Sequence, residues 1–162
     1  MTRDELIHEL EAVLHFSAIG TGTWIAKSVL PGTGSNAPVG LVVRLLKIPQ
    51  RRGTEHNQDR PAIPEAVATM VHLGLKVNPA ESGELLYEYM IEANTKKSLG
   101  ALAITDGGEI IVTAELPCGQ EPSAYFSKKE LAVMLGAVTG IAREHYRKLV
   151  ELVQAAGASW PF

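Results

Sequence analysis

Five histidines, one cysteine and one glycine-rich hexapeptide are the parts of this 162-residue chain with the most obvious chemical potential. His8 and His15 fall on one predicted helix, seven residues apart, which separates them by about 10 Å along its axis. Helical metal pairs use a four-residue spacing, so that both rings reach one ion. With Glu11 between them, the two rings read as a polar helix flank. His56 sits in a polar stretch. His72 sits on the polar side of an alternating segment, and His145 lies on the apolar stripe of a long helix as a packed or edge residue. None has a convergent partner in the sequence, so no metal site and no cofactor is expected.

Cys118 lies between Pro117 and Gly119. A nucleophilic thiol needs a neighbouring base or a helix N-terminus to lower its pKa, and neither stands beside it in the sequence. It reads as incidental. A single cysteine allows no internal disulfide and suits a reducing cytoplasm, the expected location. The segment Gly32-Thr33-Gly34-Ser35-Asn36-Ala37 has the spacing of a dinucleotide fingerprint. That motif works by opening a helix whose N-terminal amides hold pyrophosphate, whereas Pro38 and a strand pattern follow here. Lys47, Arg51 and Arg52 share their stretch with Glu55 and Asp59, and the net charge is −3. No clustered basic surface for nucleic acid results. With no paired carboxylates in a sharp motif either, no catalytic residue is assigned, and the chain reads as a non-enzyme.

The elements that carry these residues follow from periodicity. Leu6, Ile7, Leu10, Val13 and Leu14 form the stripe of a helix from Arg3 to Phe16, with Thr2 and Glu5 at capping-box spacing. Strands are expected at Trp24–Leu30 and Val39–Ile48, joined by a long tip. A mobile loop is expected at Pro49–Pro61. From Ile63 to Val77, Val67, Thr69, Val71, Leu73, Leu75 and Val77 alternate with a second set that includes His72. Period two favours a strand, although Pro64-Glu65-Ala66 is compatible with a helical turn.

Ser82 is placed to cap a helix over Gly83–Lys96. Glu84, Glu88 and Glu92 make an acidic line on it, and Leu85, Leu86, Tyr87, Tyr89, Met90, Ile91 and Ala93 cover most of the rest. One sheet needs only a single apolar stripe, so the surplus calls for further cover, most simply a second subunit. A hairpin over Leu99–Leu116 turns at Asp106-Gly107-Gly108. Leu102, Ile104 and Ile111 are expected together on its mixed face. Ser127 and Glu130 make a capping box for a last helix running to about Gln154. Gly136 and Gly140 are spaced to allow close backbone approach.

The hydrophobic content of 46% and charged content of 20% fit one folded domain over residues 1–154, with a flexible tail at 155–162. The N-terminus shows no apolar signal core, and no apolar run reaches the length of a membrane span. The fold class is α+β, a twisted antiparallel sheet flanked by helices in the order α-β-β-β-α-β-β-α. That order resembles the class I type III secretion chaperone fold and the related YbjN-like family. The segments carrying the resemblance are Leu85–Asn94, the hairpin from Leu99-Gly100-Ala101-Leu102-Ala103-Ile104-Thr105-Asp106-Gly107-Gly108-Glu109 to Leu116-Pro117, and the capped helix from Ser127.

The resemblance implies a cytoplasmic homodimer that holds an extended client polypeptide or acts as a regulator. The expected partner surface is Leu85, Tyr87, Tyr89 and Ile91 on the helix, with Leu102, Ile104 and Ile111 on the hairpin. The alternatives are a sensor for a small ligand between sheet and last helix, and an enzyme of unrecognised type.

Overall fold

Six antiparallel strands form one sheet in the order β1-β2-β3-β4-β6-β5: β1 Ser17–Gly20, β2 Thr23–Val29, β3 Pro38–Leu46, β4 Ala66–Lys76, β5 Ala101–Ile104 and β6 Glu109–Pro117. The helices are α1 Arg3–His8, continued by a π-helical segment Glu9–Val13, then α2 Glu84–Thr95 and α3 Lys128–Ala155. This computed structural model describes residues 1, 3–29, 38–46, 66–78, 83–117 and 127–156. The Thr2 cap, the Gly32–Ala37 fingerprint, the basic trio Lys47, Arg51 and Arg52, His56, the Pro49–Pro61 loop, Ser82, Cys118 and the tail from residue 157 lie outside the described residues.

The α+β class and the antiparallel sheet are as the periodicity predicts, with one strand more. The addition is β1, four residues that are all exposed and so carry no alternation. It pairs with β2 across a tight turn at Thr21-Gly22, where Gly22 has φ +75. Within the alternating segment Ala66–Lys76 is a strand, pairing β3 on one side and β6 on the other, while Ile63, Pro64 and Glu65 lie outside the described residues. Its Val67, Thr69, Val71, Leu73 and Leu75 are buried at 0–1% exposure. Since β6 is antiparallel to both β4 and β5, those two run parallel, and α2 is the crossover between them.

Side chains from all three helices join the sheet in a single core: Leu6 and Leu10, then Leu86, Met90 and Ala93, then Leu131, Met134, Val138, Ile141, Ala142, Leu149 and Val153. Trp24, Val43, Val67, Val71, Ile110 and Val112 meet them from the strands. The helices therefore share one face of the sheet. Each large side chain buried this fully contributes roughly 1.5–3 kcal/mol.

The first helix departs from the expected α-helix to Phe16. After His8 its turns widen, and Leu14 N–H bonds Glu9 C=O at 2.9 Å. His15, with φ 57, then turns the chain so that Phe16 N–H reaches Leu10 C=O at 2.8 Å. The wider turn changes which residues share a face. Leu6 and Leu10 stay in the core, while Val13 and Leu14, expected on the same stripe, are 49% and 38% exposed.

Helix α3 starts as expected: Ser127 Oγ accepts from Glu130 N–H at 3.2 Å, and Ser127 N–H donates to Glu130 Oε2 at 2.7 Å. Its two glycines do not serve a close approach, because a Cβ built on Gly136 or Gly140 meets nothing within 4 Å. Both positions cost helix propensity without a packing return. Gly136→Ala is therefore expected to stabilise the protein by about 0.5–1 kcal/mol, read as a higher denaturant midpoint at unchanged slope.

Candidate functional site

Helix α2 opens at Glu84 with Gly83, which has no side chain to cap with, in the N-cap position. Leu86, Met90 and Ala93 turn inward. Leu85 and Ile91 are 68% and 65% exposed, and Tyr87 is exposed as well. At about 100° per residue, Tyr87 and Ile91 lie one turn apart on one side of the Glu84-Glu88-Glu92 line, and Leu85 lies on the other. The surplus apolar surface is thus two flanks on either side of an acidic ridge.

Tyr89 points a different way from its neighbours in the expected partner surface. It is half-buried against α3, its ring meeting that of His145 edge-on at 5.6 Å, and its hydroxyl lies 2.6 Å from His145 Nδ1. Burial, with Glu144 and Glu92 adding to it, pushes the phenol above its ordinary pKa. The hydroxyl is therefore protonated and pairs with Nδ1 in one of two ways, accepting from Nδ1–H or donating to the bare nitrogen. When the hydroxyl donates, the neutral ring carries its hydrogen on Nε2, which is buried and has no hydrogen-bond partner. Glu144 Oε1 lies 3.7 Å from Nε2, close enough for attraction and too far to accept. The other oxygen of Glu144 pairs with Lys97, and Lys96 pairs with Glu92 at 2.6 Å. Tyr89, Glu92, Ala93, Lys96, Lys97, Glu144 and His145 together line a hollow of about 160 Å³.

Burial also holds the His145 imidazole below its ordinary pKa of 6.5; Glu144 opposes the shift and Lys97 adds to it. The unfolded chain then takes up this proton at a higher pH than the folded one. The ring's contribution to stability is complete above the unfolded value and declines as pH falls from about 6.5 through the lower folded value. Thermal melts from pH 7.5 to 5 are expected to show this decline. In His145→Gln the slope should shrink, and an unchanged slope would assign the decline to other groups.

At the end of α2, Asn94 does what a neighbouring strand would do. Its Oδ1 accepts from Leu102 N–H at 2.8 Å and its Nδ2 donates to Leu102 C=O at 2.9 Å. Leu102 belongs to β5, the outermost strand on this side of the sheet. Nothing in the sequence pattern singles out Asn94; only the return of β5 alongside α2 gives it this role.

The hairpin residues expected on one face are divided. Leu102 opposes Val112 and Ile104 opposes Ile110, both on the core face, whereas Ile111 opposes Ala103 on the other. Leu102 is 3% exposed and belongs to the core, Ile104 packs against it, and Ile111 is 8% exposed. The turn explains the correction. A two-residue Asp106-Gly107 turn would have set Thr105 opposite Gly108. Instead Gly108 takes φ 79, and Thr105 N–H bonds Glu109 C=O at 2.9 Å, which closes a three-residue loop. One extra loop residue reverses the parity of one strand against the other.

The remaining polar groups tie elements together. His72 Nδ1 lies 2.9 Å from Glu109 Oε1, joining β4 to β6. The π-helical segment aims Glu11 at the Trp24 indole N–H, 2.8 Å away, and sets Glu9 against Lys128 at the start of α3 at 2.6 Å. His8 and His15 are both exposed. Among the described residues no three His, Cys, Asp or Glu side chains converge to hold a metal ion, and no helix is long and apolar enough to cross a membrane. Comparison of the chain with protein-family models, with curated proteins and with solved structures found no match.

Proposed function

We propose that this protein binds polypeptide and acts as a homodimer, with α2 as the helix that meets a second copy. The observation that carries the reading is the outward presentation of Leu85 and Ile91, each about two-thirds exposed, on a helix whose inward stripe is already complete. Large exposed side chains of this kind on both flanks of one helix mark a surface built for contact. The order of elements, β1 apart, adds to this, through its resemblance to secretion chaperones and YbjN-like regulators. Val13, Leu14 and Ile19, also exposed, lie on the segments around the opposite sheet edge and supply further apolar surface for a client.

Sedimentation at micromolar concentration tests the dimer. The wild-type chain is expected at twice its 17.4 kDa mass, and Leu85→Glu/Ile91→Glu at the single mass with its helical content intact. Both positions are exposed, so the substitutions spare the core. A wild-type protein that sediments only as monomer sinks the dimer. Co-purification from the native organism tests the client: a reproducible protein companion supports the reading, and turnover of a small substrate overturns it.

A further inference from the structure

We propose that the hollow between α2 and α3 is a binding site for a small free carboxylate, whose place against Lys97 is held by the carboxylate of Glu144. The argument starts from an unsatisfied donor. His145 has a side chain nine-tenths buried, its Nδ1 is taken by Tyr89, and its Nε2, the donor when Tyr89 donates to Nδ1, has no partner. A buried donor left unpaired is costly, and native proteins resolve most such cases with a bound group or an ordered water. Whatever completes this site must bring an acceptor.

The rim says which kind. Lys97 is largely withdrawn from solvent, with 21% of its side chain exposed, and its ammonium is held by the Glu144 carboxylate. Glu144 thus sets one carboxylate between an ammonium and an imidazole N–H but bonds only the first, remaining 3.7 Å from the second. Its side chain is 58% exposed and free to leave. Four residues further along α3, Lys148 lies on the same helix face in the order that favours a Glu–Lys pair, and its contact with Glu151 at 3.4 Å is loose enough to be shared. A ligand carboxylate can therefore take the place of Glu144 without changing the charge of the hollow. It bridges Lys97 and Nε2–H, and Glu144 moves outward. Tyr89 keeps the tautomer that makes Nε2 the donor, and Glu92 with Lys96 closes the far side as a neutral pair. A volume of about 160 Å³ admits an acid of two or three carbons.

Glu92 lines the hollow and also lies on the ridge between Leu85 and Ile91, so the titration is run on the Leu85→Glu/Ile91→Glu chain as well, where unchanged binding separates the site from the dimer. The test is a long-range ¹⁵N–¹H correlation spectrum of the imidazoles in the full chain, titrated with sodium acetate against sodium chloride of equal ionic strength. The expected result is a donor-type Nε2 in His145 that shifts saturably with acetate and not with chloride. Lys97→Met should weaken acetate binding about tenfold, as expected for loss of a charge-assisted bond. Glu144→Gln should tighten it several-fold by weakening the internal competitor. An acceptor-type Nε2, an identical response to chloride, or weaker binding in Glu144→Gln overturns the proposal. An acetylated aspartyl amide in the same titration separates the sources. Failure to bind supports a free acid, and binding as tight as acetate reassigns the carboxylate to a polypeptide side chain and overturns that part.

Discussion

Replacing Asn94 by alanine is expected to destabilise this protein by about 3 kcal/mol, more than any other single change at a half-buried polar position described here. The side chain itself buries little apolar surface. Its removal strands the N–H and the C=O of Leu102, which it holds at 2.8 and 2.9 Å. Each backbone group left unpaired costs about 1–3 kcal/mol, reduced where water can enter. Asn94→Asp refines the argument. The carboxylate still accepts from Leu102 N–H but can no longer donate to the carbonyl, and it sets negative charge against that oxygen. A loss comparable to that of alanine is expected, although aspartate has nearly the size of asparagine.

The measurement is the denaturant midpoint at constant slope, converted to free energy. A loss below about 0.5 kcal/mol in the alanine variant would show that the clamp is incidental. Opening the clamp has a second consequence. β5 is an edge strand, and an uncovered edge is a template for pairing with another chain. The variant should therefore self-associate more readily than the wild type at the same concentration.

Gly100→Ala is expected to cost about 2–3 kcal/mol, for two separable reasons. Gly100 has φ +87, in the left-handed region where a side chain strains the backbone by roughly 1–2 kcal/mol. The new Cβ would also stand 3.0 Å from Ile141 Cδ1 and 3.3 Å from the Thr113 carbonyl oxygen. The first neighbour is the end of a side chain and can yield; the second is backbone and cannot. Ile141→Val removes the offending methyl. In the double variant the loss should be smaller than the sum of the two single losses, with the backbone strain remaining. Strict additivity in a double-mutant cycle would rule out the steric part. Gly100 thus lets the chain entering β5 lie close against Ile141 of α3.

Much of the architecture is legible in the residue pattern. The alternation in Val67–Val77, with period two over many residues, favours a strand, because one face must be buried, and Ala66–Lys76 is one. The Ser127–Glu130 box and the stripe from Leu131 to Val153 specify a helix, its start and its buried side, since both signals are local. Even the surplus apolar surface of α2 could be read from composition, and Leu85 and Ile91 are exposed as that reading required. Short elements without a pattern escaped. β1 has four exposed residues and exists because β2 lies beside it, and the first helix widens where Glu11 meets Trp24.

The candidate site divides along the same line. Sequence by itself determined that His145 lies on a mostly apolar stripe and that Tyr89 shares a helix with three glutamates, because helical spacing follows from residue number alone. Only the tertiary structure decided that Tyr89 turns to His145 while Leu85 and Ile91 turn to solvent, that Asn94 closes the edge of β5, and that Leu102 and Ile111 face opposite ways. The last of these depended on one loop residue, Gly108 in its left-handed conformation, which sequence symmetry between two candidate turns does not resolve. The others depend on contacts between groups as much as 56 residues apart, such as Tyr89 and His145. Such pairings are selected by the packing of the whole chain, where the cost of every alternative includes a core that no longer closes.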